Sequence, residues 1–172
     1  GDGAERRHVY RRDVDLFLKD GRIAEIAPAG ARPAEANEPV LDGRGMLALP
    51  GLINIHSHPT TEPGYRGVRE DHGVPEQQMT GLIERLQAFR LDHDGQAAAA
   101  VMSYAEMLRA GTTTACDVTV PFDGWLDTMV QSGMRFYAGP TFASARWGMS
   151  APQTVTWKWD EAAGLAAFDK AK

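Results

Sequence analysis

Leu49-Pro50-Gly51-Leu52-Ile53-Asn54-Ile55-His56-Ser57-His58-Pro59 is a short apolar run that closes on two histidines one residue apart. Side chains of an extended strand alternate between faces, which predicts Leu52, Asn54, His56 and His58 on one side and Ile53 and Ile55 on the other. The two imidazoles then stand roughly 6.6 Å apart along the strand and can lean together onto one metal ion. Pro50 can open such a strand and Pro59 can close it, because proline has no N–H to give to a ladder. The pair therefore falls at the strand's C-terminal end, where barrels of alternating strands and helices build their active sites. An H-x-H pair on an edge strand is ordinarily two solvated histidines. Here the run around it is too apolar for a solvated edge, and the chain beyond Pro59 reads as helix, strand, helix, strand.

The chain has 172 residues, enough for one domain or at most two. An apolar fraction of 43% suits a globular chain with a core. The net charge of −5, with acids and bases mixed, argues against a nucleic-acid or anionic-membrane partner. The single Cys116 excludes an internal disulfide and suits a reducing compartment. No apolar stretch approaches the ~20 residues of a membrane span and no signal peptide is visible, so a cytoplasmic protein is expected. The start at Gly1-Asp2-Gly3-Ala4, without an initiator Met, and the end inside a helical pattern read as the two ends of a fragment.

Upstream of the histidines, Val14, Leu16 and Leu18 alternate as in a half-buried strand, Asp20-Gly21 marks a two-residue hairpin, and Ile23–Ile26 is the returning strand. Residues 27–39 read as a loop. Val40-Leu41 and Met46-Leu47-Ala48 flank a second hairpin-like turn at Asp42-Gly43-Arg44-Gly45. Residues 1–48 are thus expected to be a small antiparallel β unit, too small to hold a core alone.

Residues 49–172 alternate strand and helix, which implies a parallel sheet. A polar loop over 59–80 and a helix near 80–90 precede a helix N-capped near Asp94, with Ala97, Ala100, Val101, Tyr104, Ala105 and Leu108 on one face and Gly111 as its stop. Thr112–Val118 is a buried strand. Asp123 is expected to cap a helix with Leu126, Met129 and Val130 inward. Met134–Gly139 is the third strand, 141–159 a second long loop with Trp147, Trp157 and Trp159, and Asp160 caps a last helix. The 53 residues between His58 and Thr112 exceed the ~30 of a whole βαβ unit, which predicts an insertion over the mouth.

The His-x-His run, followed by Glu106-Met107-Leu108-Arg109-Ala110-Gly111-Thr112-Thr113-Thr114 and Asp117, resembles the amidohydrolase superfamily. The likeness is strongest to the branch of cytosine, guanine and adenosine-type deaminases and of s-triazine and phenylurea hydrolases. It implies an α/β fold: the first three strand–helix units of a (β/α)8, TIM-type barrel beside a β-sandwich. It implies that His56 and His58 ligate one divalent metal, zinc by default, iron or cobalt otherwise. The family's other ligands and proton shuttle lie on later strands and have no counterpart here, so the catalytic residues are expected outside this chain, with the remainder of the barrel on the same or another chain.

The implied function is hydrolysis of a non-peptide carbon–nitrogen bond (amide, urea, carbamate or cyclic amidine) in a small-molecule substrate by metal-activated water. Deamination of a nucleobase or s-triazine-type ring and a non-catalytic barrel subunit are the alternatives. The chain alone is expected to be inactive, and a homo-oligomer is expected. Arg66-Gly67 fits the family's first-strand loop, but Arg69-Glu70-Asp71-His72-Gly73-Val74-Pro75 departs from the usual deaminase pattern and favours a less usual substrate. His72 in that loop and Trp147 over the mouth are the candidate substrate contacts. His93 reads as solvated. Asp117 reads as a helix cap or a support for a ligand, with Cys116 on the opposite face packing against helices. Asn54 reads as a satisfied core polar residue or one reaching into the barrel's upper layer.

Overall fold

The computed structural model describes residues 9–65, 91–151 and 154–171. It is a mixed α/β structure in two compact units, Gly1–Ala48 and Leu49–Lys172. His72, the 66–75 loop and the helix expected near 80–90 lie outside the described residues.

In the first unit, β1 (Val14–Lys19) pairs antiparallel with β2 (Arg22–Pro28). Lys19 faces Arg22 across a two-residue turn in which Asp20 and Gly21 have φ of 52° and 70°. That double left-handed turn matches the right-handed twist of the strands, which is why Asp-Gly marks it in sequence. The expected alternation of Leu16 and Leu18 inward is not kept: both are exposed, while the half-buried Phe17 lies under the Arg32 guanidinium at 3.9 Å. Arg32 also forks onto Glu38 at 3.1 and 3.2 Å. The second hairpin does not form among the described residues. Only its turn does, with the Met46 N–H on the Gly43 carbonyl and the Arg44 N–H on Asp42 Oδ1. Val40, Leu41, Met46 and Leu47 stay exposed and find no ladder partner there.

In the second unit, β3 (Leu52–Ser57), β4 (Thr112–Thr119) and β5 (Arg135–Pro140) form a parallel sheet in the order β3-β4-β5. Helix α1 (His93–Arg109) and helix α2 (Trp125–Ser132) cover one face. The α1 N-cap is Asp92, not Asp94: its carboxyl accepts the Gly95 N–H, whereas Asp94 is fully exposed. Gly111, with φ 85°, stops α1 as expected. The buried stripe of α1 runs through Ala99, Ala100, Ser103 and Tyr104, rotated from the expected one, and leaves Val101 and Leu108 exposed. The reason is Ser103, whose hydroxyl donates to the Pro59 carbonyl at 3.0 Å and turns that face toward the segment after β3.

α2 is not capped by Asp123. It begins at the left-handed Gly124, makes no side-chain cap bond, and buries Trp125 and Met129 while Leu126 and Val130 stay exposed. The loop expected over 141–159 is instead an antiparallel pair, β6 (Ala145–Ala151) and β7 (Thr154–Trp159), in which Trp147 stands opposite Trp157. Its alternating Thr-Val-Thr-Trp-Lys-Trp is a strand pattern that the tryptophans obscure. Asp160 does cap α3 (Glu161–Ala171), accepting the Ala163 N–H at 2.9 Å.

The core joins Ala100, Tyr104, Ala115, Trp125, Met129 and Met134. A carboxyl sits inside it. Asp117 is fully buried, and its Oδ2 accepts the Tyr104 hydroxyl at 2.5 Å and the Trp125 indole N–H at 3.1 Å. Asp117 thus faces the helices, the reverse of the expected arrangement with Cys116, which is only half-buried. Two aromatic side chains can bury large surface and still offer a donor, which is how a core accepts a carboxyl. Among the described residues its Oδ1 and the Thr119 hydroxyl have no partner. Burial, then the bond to Asp117, pushes the Tyr104 phenol well above its ordinary value of 10.0, so it stays a donor.

Two outcomes are expected for stability. Asp92→Ala costs about 1 kcal/mol in denaturant unfolding, whereas Asp94→Ala costs a few tenths at most, because only Asp92 satisfies a helix N–H. Tyr104→Phe costs about 1–3 kcal/mol by stripping a donor from a buried carboxyl. The phenol's pKa is raised on folding, so its share of stability is present below pH about 10 and drains away above it, where the unfolded chain ionises first. Unfolding free energy measured from pH about 8 to 11 therefore falls more for the wild type than for Tyr104→Phe.

Candidate metal centre

The geometry of the histidine pair starts from a register shift. The register shifts twice in opposite senses: from Leu52 to Ile53 β4 spends two residues where β3 spends one, and from Asn54 to Ser57 β3 spends three where β4 spends two. Asn54 stands at the second shift: its Oδ1 accepts the His56 N–H at 3.1 Å, a local bond that competes with the ladder for that donor. Residues level across a ladder share a face, so Asn54 and Ser57 both lie on the buried side with Ala115 and Asp117, and His56 lies on the other. The strict alternation that would put Asn54 and His56 on one face is broken by this bulge. Asn54 is the hydrogen-bonded polar residue of the two readings, at least through its Oδ1.

Ser57 completes the pairing on the covered side. It is 1% exposed and its hydroxyl donates to the Cys116 carbonyl at 2.9 Å. β3 ends there, and His58 begins the turn beyond it. The His58 ring crosses to the next strand, where Nδ1 lies 2.7 Å from the Val118 carbonyl. A carbonyl only accepts, so Nδ1 carries the hydrogen and the neutral ring presents its lone pair at Nε2. That nitrogen faces His56 Nε2 at 2.9 Å, with the ring planes at 68°. Two nitrogens each about 2.0–2.1 Å from one ion stand roughly 2.9–3.4 Å apart for ligand angles of about 90–110°. The pair is therefore already at the separation that a shared ion requires. A ligand histidine whose other nitrogen donates to a backbone carbonyl is the usual device for fixing ring and tautomer.

The turn after β3 holds His58 from the backbone side. The His58 N–H donates to Glu62 Oε1 at 2.8 Å, and the His58 carbonyl accepts the N–H groups of Thr61 and Glu62, each at 3.0 Å. A short 3-10 helix, Glu62–Tyr65, comes next. Pro59 is fully buried and anchored by Ser103. Sequence reasoning missed Glu62, Ser103 and Val118. The first had a signal, an acid just before Pro63 at a helix start. Val118 had none, since a backbone carbonyl is blind to residue type.

The other candidates do not join the pair. Among the described residues no three His, Cys, Asp or Glu groups come together in a way that could hold an ion. Asp117 is turned to the helices. His93 opens α1, stacks edge-on against Phe122 at 6.2 Å between ring centroids, and lines a cleft of ≈ 550 Å³ with Asp92, Gln96 and Asp123. Trp147 is placed only by its pairing with Trp157 in the β6–β7 hairpin.

No family model matches the chain. Individual relatives do. The 5'-deoxyadenosine deaminase of Methanocaldococcus jannaschii is 31% identical over 122 residues, 70% of this chain and 28% of that protein. The 5-methylthioadenosine/S-adenosylhomocysteine deaminase of Desulforudis audaxviator is 32% identical over 125 residues, again 70% and 28%. A similarly named deaminase of Archaeoglobus fulgidus is 30% identical over 127 residues, 74% and 29%. The chain thus spans under a third of the length of the curated relatives it matches. Over some 120 residues, and in its own His-x-His and Gly-Thr-Thr-Thr motifs, the chain is similar to these amidohydrolase-type deaminases.

Proposed function

We propose that this chain supplies the first-strand half of a mononuclear metal site in a deaminase that acts on an adenosine-type ring. The observation that carries the reading is the convergence of His56 and His58 Nε2 at 2.9 Å, with His58 Nδ1 committed to Val118. Two neutral imidazoles suit zinc, and iron or cobalt as well. A bound divalent ion there would supply Lewis acidity and bring the pKa of water toward neutrality. The chain's own residues orient and hold: Val118 fixes the His58 tautomer, Asn54 holds the His56 N–H at the bulge, and Ser57 pins the strand end. In the net reaction, water gives its oxygen to the ring carbon and the amino nitrogen leaves as ammonia. The remaining donors and the group that moves the proton belong to the barrel that the family implies, as do the substrate contacts.

The names of the relatives favour ring deamination over the amide, urea or carbamate chemistry that the family resemblance also allows. The small-molecule substrate is on this reading an adenosine-type nucleoside. Among the described residues no helix is long and apolar enough to cross a membrane.

The test is metal content and ammonia release by the full-length protein. The expected result is about one zinc or iron per polypeptide, and ammonia from 5'-deoxyadenosine or a related nucleoside. His56→Ala and His58→Ala each lose the metal and lower kcat/KM by about a thousand-fold or more, the equivalent of several kcal/mol of transition-state stabilisation. Turnover that survives both substitutions removes the metal reading. Turnover of ureas or amides in place of nucleosides moves the substrate class but keeps the site.

A further inference from the structure

We infer that Glu62 is a positioning residue for His58, a role that rests on the metal-site reading above. His58 is held at two ends. Its ring end is tied to β4 through Nδ1 and the Val118 carbonyl, and its backbone end is tied to Glu62 Oε1 at 2.8 Å. Glu62 returns its own N–H to the His58 carbonyl at 3.0 Å, closing a reciprocal pair across four residues. The next residue, Pro59, has no N–H to give, so the backbone N–H of His58 is the last donor before the turn. β3 has already ended at Ser57, and among the described residues no strand of the sheet bonds that N–H. Glu62 stands in for the missing ladder partner.

The bond is exposed, and an exposed hydrogen bond contributes little to global stability. Its effect falls on where the His58 ring can stand. Released from Glu62, the His58 backbone can turn about the buried Pro59, and the Nδ1 contact with Val118 alone has to orient the ring. The carboxyl is not itself part of an ion-holding group of three among the described residues, so its contribution is one of placement.

The experiment compares wild type, Glu62→Gln and Glu62→Ala in the full-length protein, with His56→Ala and His58→Ala as references. Zinc affinity is read by competition with a chromophoric chelator, and the tautomer of His58 in the metal-free protein by its ring nitrogen shifts. Glu62→Gln keeps an oxygen acceptor in place and is expected to bind zinc within about two-fold of wild type, with Nδ1 still protonated. Glu62→Ala is expected to lose about 10-fold or more in affinity, as partners of ligands do, and to show a mixed tautomer signal at an almost unchanged melting temperature. Should Glu62→Ala fail to fold, Glu62→Asp, too short to reach the His58 N–H, takes its place. Wild-type affinity and tautomer in the truncated variant overturn the inference. So does a Glu62→Gln variant as weak as Glu62→Ala, since charge and not the hydrogen bond would then matter. If the two histidine variants bind zinc like wild type, the metal-site reading itself falls, and the inference with it.

Discussion

The hydrogen bond from His58 Nδ1 to the Val118 carbonyl is the contact on which the site depends. It spans from the end of β3 to β4, so it exists only if the two strands run parallel in their observed register. The register in turn depends on what holds β4 against the helices. Asp117, the residue before Val118, is fixed on the covered face by Tyr104 of α1 and Trp125 of α2. Alternation then leaves the Val118 backbone free to offer its carbonyl sideways to His58. A core made of aromatic donors around one carboxyl thus sets the position of a carbonyl that no side-chain comparison would single out.

The same logic explains which parts of the fold are legible in the sequence. The Asp20-Gly21 turn, the stop at Gly111 and the strands at 52–57, 112–119 and 135–140 are readable because each rests on a local cause: a φ that glycine tolerates, or a β-branched run too short for a helix. Helix faces are less legible. Apolar spacing alone predicts the wrong α1 stripe, because Ser103 is buried where it has a carbonyl to bond and Val101 is not. Capping propensity points to Asp123 as the start of α2, yet Gly124 in the left-handed region begins the helix without any side-chain cap. Propensity describes isolated helices, and packing overrides it.

The candidate site shows in the sequence as a residue pair, but its geometry does not. His56 and His58 stand out in the sequence, but a regular strand would place Asn54 beside them and Asp117 on the face opposite the helices. One intrastrand bond, Asn54 Oδ1 to the His56 N–H, lies in the irregular stretch that puts His56 out of step with Asn54, while Asp117 on the neighbouring strand is held toward the helices by Tyr104 and Trp125. Bulges next to active sites re-aim side chains in this way. Periodicity arguments carry one assumption, an uninterrupted ladder, and the ladder here is broken beside a polar side chain two residues ahead of His56.

The 2.9 Å contact between the two Nε2 atoms also bears on how ready the pair is for an ion. His58 Nε2 offers a lone pair, because its hydrogen is at Nδ1, so in the absence of metal the hydrogen between the rings belongs to His56. An ion held there would need the lone pairs of both Nε2 atoms, which a His56 ring carrying its hydrogen at Nδ1 would supply. No net proton need be released. What is lost is one hydrogen bond between exposed groups, about 0.5–1.5 kcal/mol. Zinc bound by a complete donor set contributes of the order of 10 kcal/mol or more. The metal-free contact is therefore a weak placeholder. It keeps the rings at ligand spacing with little resistance to an ion, and the larger ordering cost, turning the His58 ring toward His56, is already met by Val118 and Glu62.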